Sequence, residues 1–170
     1  MPELSLRKHF RPLHRLIYFG HVSTLAELID AIAATNRRRR GFVLFLAYDA
    51  RTVSNEVVFA AARQLLHLGM SYIVAWGPDC ERVHDIFDDA DIEQNPDSNR
   101  GSDSVIMSTW HADEPIEQAL WFALHSAYPA PGYEASTGST IVAIIKNATW
   151  AEAVSAYLDN PSTLEAAVGV

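Results

Sequence analysis

Apolar and polar residues alternate along this chain in two rhythms: short unbroken apolar runs, and apolar pairs recurring every four residues. "GFVLFLAY" (41–48) is the clearest run, the pattern of a strand buried on both faces of a parallel sheet. "SYIVAW" (71–76), "SVIMST" (104–109) and "TIVAIIK" (140–146) repeat it. Between the first two, "SNEVVFAAARQLLHLG" carries the pairs Val57/Val58, Ala61/Ala62 and Leu65/Leu66. That spacing makes a wide helical stripe, capped by Ser54 and closed by Gly69.

Other helices follow from punctuation. Pro78 suits the first turn of a helix running to about Asp89, and Pro115 opens one reaching about Tyr128. Thr24 with Glu27, and Thr149 with Glu152, have capping-box spacing, predicting an early helix over 25–35 and a last one after 149. "NPDSNRGSD" (95–103) and "PAPGYEASTGS" (129–139) read as polar loops. "RLIYF" (15–19) adds a fifth strand at a sheet edge; the rest of the first twenty residues carries no pattern that places it.

Strands alternating with helices imply right-handed βαβ units. The expected class is α/β: a three-layer, Rossmann-like or flavodoxin-like parallel sheet of four to five strands with helices on both faces. Counting strands from residue 41, the expected order is 2-1-3-4. Residues 41–170 form the α/β domain, and residues 1–40 a basic segment with one helix, packed on or appended to it; overall this is a single globular domain.

Composition narrows the partners. No apolar run approaches the ~20 residues of a membrane span, and "MPELSLRKHFRPLHRLIYFG" lacks the apolar core and cleavage site of a signal peptide. One cysteine excludes an internal disulfide and fits a reducing cytoplasm. The net charge is −8, unevenly spread. Residues 1–40 hold eight Lys/Arg against three acids, a net +5, while the remainder holds five against eighteen, a net −13. So acidic a body disfavours tracking of nucleic-acid phosphates. The expected partner is a small-molecule ligand or a protein, with no nucleic acid and no membrane, and a homo-oligomer is compatible. The basic head either docks an acidic partner or, more simply, folds back on its own acidic domain.

In open parallel sheets, ligands sit beyond the carboxyl ends of the strands, where the strand order reverses. After the strand at 41–48 come Asp49, Arg51 and Thr52; after the next come Trp76, Asp79 and Cys80. The third ends in Ser108, Thr109 and His111, followed by Asp113 and Glu114, and the fourth in Lys146 and Asn147. The run Arg37–Arg40 enters the first strand from the opposite end, far from any such site. The loop "DARTVSNE" contains no glycine, so neither a dinucleotide fingerprint nor a phosphate-cradling loop is present. There is no G-x-S-x-G nucleophile elbow either.

Two pairs could carry chemistry. Cys80 falls in a helical first turn, where the dipole favours a thiolate, and His84 lies four residues on along the same side. Asp79, Glu81 and Asp85 oppose that thiolate, and Cys80 is spaced from Val83 and Phe87 as a small core side chain would be. Asp49 and His111, expected at the ends of neighbouring strands, would orient a general base, or hold a divalent metal with Asp113 or Glu114. Their plainer roles are loop and helix-cap contacts. No cofactor motif is evident. His67 and His125 sit near helix ends, and His9, His14 and His21 lack metal-site spacing. Trp76 and Trp110 are placed to wall a pocket at this edge.

"WGPDC" (76–80) and "TWHADE" (109–114) resemble segments of an uncharacterised bacterial α/β, Rossmann-like domain family, over roughly residues 41–158. The resemblance implies a bacterial cytoplasmic protein and no established activity. Two functions remain. One is a non-catalytic binding or regulatory module that holds a small ligand or protein partner at the carboxyl edge of its sheet. The other is a small hydrolase or acyl-type transferase running on Cys80/His84 or on Asp49/His111. The absence of a complete catalytic motif favours the first.

Overall fold

The computed structural model describes residues 2–8, 10–38, 40–97 and 99–170; His9 of the basic head, Arg39 of the arginine run, and Met1 and Ser98 lie outside the described residues. In chain order the elements are β1 (Ser5–Arg7), β2 (Leu16–Val22), α1 (Leu25–Thr35), β3 (Gly41–Ala47), α2 (Asn55–His67), β4 (Met70–Trp76) and α3 (Cys80–Gln94). Then come β5 (Met107–His111), α4 (Ile116–His125), α5 (Pro131–Glu134), β6 (Thr137–Ile145), α6 (Ala148–Asp159) and α7 (Pro161–Val168). Short 3-10 turns occupy Pro12–His14 and Ser102–Ser104.

The strands form one six-stranded sheet in the order β1-β2-β6-β3-β4-β5. β1 runs antiparallel to β2, and every other pairing is parallel. Both the strand count of four to five and the order 2-1-3-4 are corrected by this topology. Counted from residue 41, the observed order is 3-2-1-4. The strand read from "RLIYF" is β2, and it is internal rather than at the edge, because the three-residue β1 pairs on its outer side. The basic head thus supplies β1, β2 and α1.

Every residue of β3 is buried, as its unbroken apolar run requires. On one side of the sheet Leu44, Leu46, Ile73 and Ile141 pack with Leu28 and Ile32 of α1, Val58 and Leu65 of α2, and Val83 and Phe87 of α3. On the other side Val43, Phe45, Val74 and Val142 pack with Leu120 and Leu124 of α4, and with Val154, Leu158 and Leu164 beyond β6. Alternate residues of one strand therefore feed two separate clusters, as a pleated backbone dictates.

The helix ends show where local signals compete. Thr24 accepts from the Glu27 amide at 3.1 Å, and Glu27 accepts from the Ser23 amide at 2.7 Å, so the first box forms. At α6 the cap is Asn147, which accepts from the Trp150 amide at 3.0 Å; the expected Thr149/Glu152 box is displaced by two residues. Pro78 stays outside α3, because Gly77 and Asp79 both turn through positive φ (112° and 68°) before the helix begins at Cys80. A side chain on Gly77 would put a Cβ 2.6 Å from the Tyr48 carbonyl oxygen, so this close approach of two strand ends requires glycine.

Candidate functional site

α1, α2 and α3 pack in the first cluster, while α4 and α6 pack in the second. The connections from β3 and β6 therefore leave these neighbouring strands towards opposite sides, which opens a crevice at their carboxyl ends. A cleft of about 560 Å³ lies there, within the size range of small-molecule sites. Ser23 and Thr24 line it from the end of β2, Tyr48 and Asp49 from the end of β3, and Lys146 from the end of β6; Thr52 and Ser54 close it from the loop before α2.

Local structure holds these groups. Asp49 accepts two hydrogen bonds from the Arg51 guanidinium, at 2.9 Å from Nε and 2.7 Å from Nη2, and a third from the Arg51 amide at 3.3 Å. That forked contact, first among its causes, keeps the exposed Asp49 carboxyl below the usual carboxylate range. Tyr48 is half-buried, and burial raises its phenol pKa, with Arg82 opposing and Asp49 adding to the shift. The phenol thus stays protonated as a donor. Lys146 adopts a φ of 69°, a left-handed conformation that costs a non-glycine residue about 1–2 kcal/mol. Its amide donates to the Val22 carbonyl at 2.7 Å, which ties the ends of β2 and β6 together.

Asp49 and His111 are not brought together, since β4 lies between β3 and β5. This corrects the expectation that they end neighbouring strands. His111 is instead buried beside its own loop: Nδ1 lies 2.5 Å from the Glu114 carboxylate, Nε2 lies 3.2 Å from the Thr109 hydroxyl, and the ring packs on Phe122. Among the described residues no group of three or more His, Cys, Asp or Glu side chains converges as a metal site would need.

Cys80 and His84 do not engage each other. The His84 nitrogens face Asp85 (2.9 Å) and Asp88 (3.5 Å), and its ring packs against Trp110 with centroids 4.6 Å apart. Cys80 is 2% exposed within the first core cluster. Burial pushes its thiol pKa up, offset in part by the His111 backbone amide.

Other candidates make contacts within the protein. Trp76 donates to the Glu114 carbonyl at 2.8 Å and meets Trp150 edge-on; Ser108 donates to Asp88 at 2.6 Å. Asp79 pairs with Arg82 at 2.7 Å. Arg82, which no sequence motif marks, also donates to Asn55 and to the carbonyls of Ala50 and Val53, and so sets the loop beside the cleft. Ser23 and Thr24 also line the cleft, although the sequence marks Thr24 only as a helix cap. Extending the strand through "GHV" to residue 22 would have put them at a carboxyl end. No helix among the described residues is long and apolar enough to cross a membrane.

The fold is thus that of a mixed α/β protein with a largely parallel sheet and an open cleft at its carboxyl edge. Residues 21–161 match the domain of unknown function DUF7684, and the chain belongs to that family. No curated protein and no solved structure matches the chain.

Proposed function

We propose that this protein is a non-catalytic binding module that holds a small polar molecule in the cleft at the carboxyl ends of β2, β3 and β6. The observation that carries the reading is Lys146: a residue in a strained backbone conformation, at the strand ends where the connections diverge, lining a cleft of ligand size. The cleft offers an ammonium, a carboxylate already paired with a guanidinium, a protonated phenol and hydroxyls. Such a set favours a polar ligand carrying both an acidic group and hydroxyls.

The order β5-β4-β3-β6 supports reading the sheet as a three-layer, Rossmann-like arrangement, with β2 added from the N-terminal side. The one cysteine is a free thiol, in keeping with a cytoplasmic setting.

The test is a thermal-shift screen of small polar metabolites, followed by calorimetry and by mass spectrometry of the recovered ligand. A hit recovered unchanged, with affinity about tenfold weaker (~1.4 kcal/mol) in Lys146→Gln, supports the module. A hit insensitive to both Lys146→Gln and Asp49→Asn places binding elsewhere and overturns the reading. Recovery of a converted product overturns its non-catalytic part.

A further inference from the structure

At the opposite end of the sheet lies a second hollow, of about 360 Å³, where β2 and β6 begin and α1 ends. Leu16, Tyr18 and Ile141 form its apolar floor, and Arg37, Arg38 and Arg40 line its rim. The contrast with the other arginines is informative. Beyond residue 40, Arg51, Arg63, Arg82 and Arg100 each have a carboxylate within 4 Å, on Asp49, Glu93, Asp79 and Asp91 respectively. Among the described residues Arg37, Arg38 and Arg40 have none. In a chain with 21 acidic residues and a net charge of −8, three guanidiniums gathered without a counter-charge are an uncompensated positive patch.

The patch is also held in shape. Asn36 donates to the Arg40 carbonyl at 2.7 Å and to the Leu68 carbonyl at 3.2 Å, and accepts from the Arg40 amide at 3.0 Å. One side chain thus closes the loop on both ends and pins it to the turn after α2. Arg37 donates to the Ala34 carbonyl at 3.4 Å, at the carboxyl end of α1. The Arg40 side chain lies over Gly138, with Cδ 3.8 Å from where a Cβ would stand, an ordinary van der Waals distance. Tyr18 is laddered into the sheet through its backbone, while its hydroxyl has no hydrogen-bond partner among the described residues and lines the hollow, where a ligand can meet it.

We infer that this groove is a second binding site, for a small molecule that carries a phosphate group on an apolar or aromatic body. Planar guanidinium forks match phosphate oxygens in pairs, and more than one fork suits a dianion better than a single carboxylate. The apolar floor gives the rest of the molecule its place. The site is separate from the carboxyl-edge cleft and shares no residue with it.

Calorimetric titration of the whole chain with phenyl phosphate, and separately with inorganic phosphate, tests this. Phenyl phosphate should bind at least tenfold more tightly than inorganic phosphate, and raising salt from 50 to 200 mM should weaken it. Arg38→Gln with Arg40→Gln should lower its affinity at least tenfold, while Lys146→Gln at the other cleft should leave it unchanged. Both arginines are exposed, so the fold should survive, which the melting temperature checks. Equal affinity for the two probes, binding indifferent to the arginine pair, or no binding at millimolar concentration each overturns the inference. So does binding of an acidic peptide in place of phenyl phosphate.

Discussion

Arg82 donates to the Asn55 side chain at 2.7 Å, so that α3 holds the first residue of α2 in place. The same guanidinium reaches the carbonyls of Ala50 and Val53, at 2.6 and 3.1 Å, and the Asp79 carboxylate. Arg82→Met keeps the stem but strips these acceptors of their donor. The expected loss is about 2–3 kcal/mol, since each charged hydrogen bond contributes about 1.5–3 kcal/mol and losses within one network do not add. At about 2–4 °C per kcal/mol for a domain of this size, the melting temperature should fall by roughly 5–10 °C. An unchanged melting temperature would show that the loop holds without Arg82.

Cys80 should resist alkylation. Its thiol is buried and its pKa raised, so the reactive thiolate is scarce in the folded chain. Iodoacetamide at pH 8 is expected to label the native protein about 100-fold or more slowly than the urea-unfolded protein, because labelling must wait for opening. His84→Ala should not slow it, the ring being turned to Asp85 and Asp88. Rapid native labelling that depends on His84 would revive the nucleophile.

Lys146 links strain to use. Lys146→Gly relieves a left-handed lysine at about 1–2 kcal/mol but loosens the unfolded chain by about 0.5–1 kcal/mol. The net expectation is a melting temperature unchanged or raised by up to about 6 °C, together with loss of ligand retention in the carboxyl-edge cleft. A clear drop in melting temperature would show that the lysine side chain supports the fold itself.

His125 gives the protein an acid sensitivity. Its ring stacks on Trp121 at 3.8 Å and faces Phe10, with Nε2 buried and unpartnered among the described residues. Burial lowers its pKa, and Glu165 only partly opposes this. The folded state thus prefers the neutral ring, and the unfolded state takes up the proton first as pH falls. The stability due to neutral His125 is whole above the ordinary histidine pKa of about 6.5 and is lost as pH drops through the lowered value. His125→Phe should therefore lose less stability between pH 7 and pH 5 than the parent in urea titrations. Parallel losses in the two proteins would remove His125 as the cause.

The repeating units were legible because their signals are local. The run 41–48 has the pattern of a doubly buried strand, and the pairs from Val57 to Leu66 that of one helical stripe. What failed was what depends on distant partners. Nothing within "TIVAIIK" says that it inserts between β2 and β3, and with that insertion missed, Asp49 was set beside His111 rather than beside Lys146. The spacing of Cys80 and His84 was compatible with contact, but neighbouring acids and the Trp110 face claimed the ring instead. Lys146 was legible as a strand-end residue; its backbone strain was not, because positive φ in a lysine leaves no mark in composition.

The strand that joins the two halves of the sheet is made late. β2 ends at residue 22 and β3 at residue 47, yet β6, which pairs with both, is complete only at residue 145. At about 5–20 residues per second, a ribosome takes roughly 5–20 s to go from the end of β3 to the end of β6. Throughout that time the facing edges of β2 and β3 carry unpaired amides and carbonyls, the surface on which strands from other chains pair. The period in which this protein is most exposed to aggregation is thus set by the order in which its strands are written in the message.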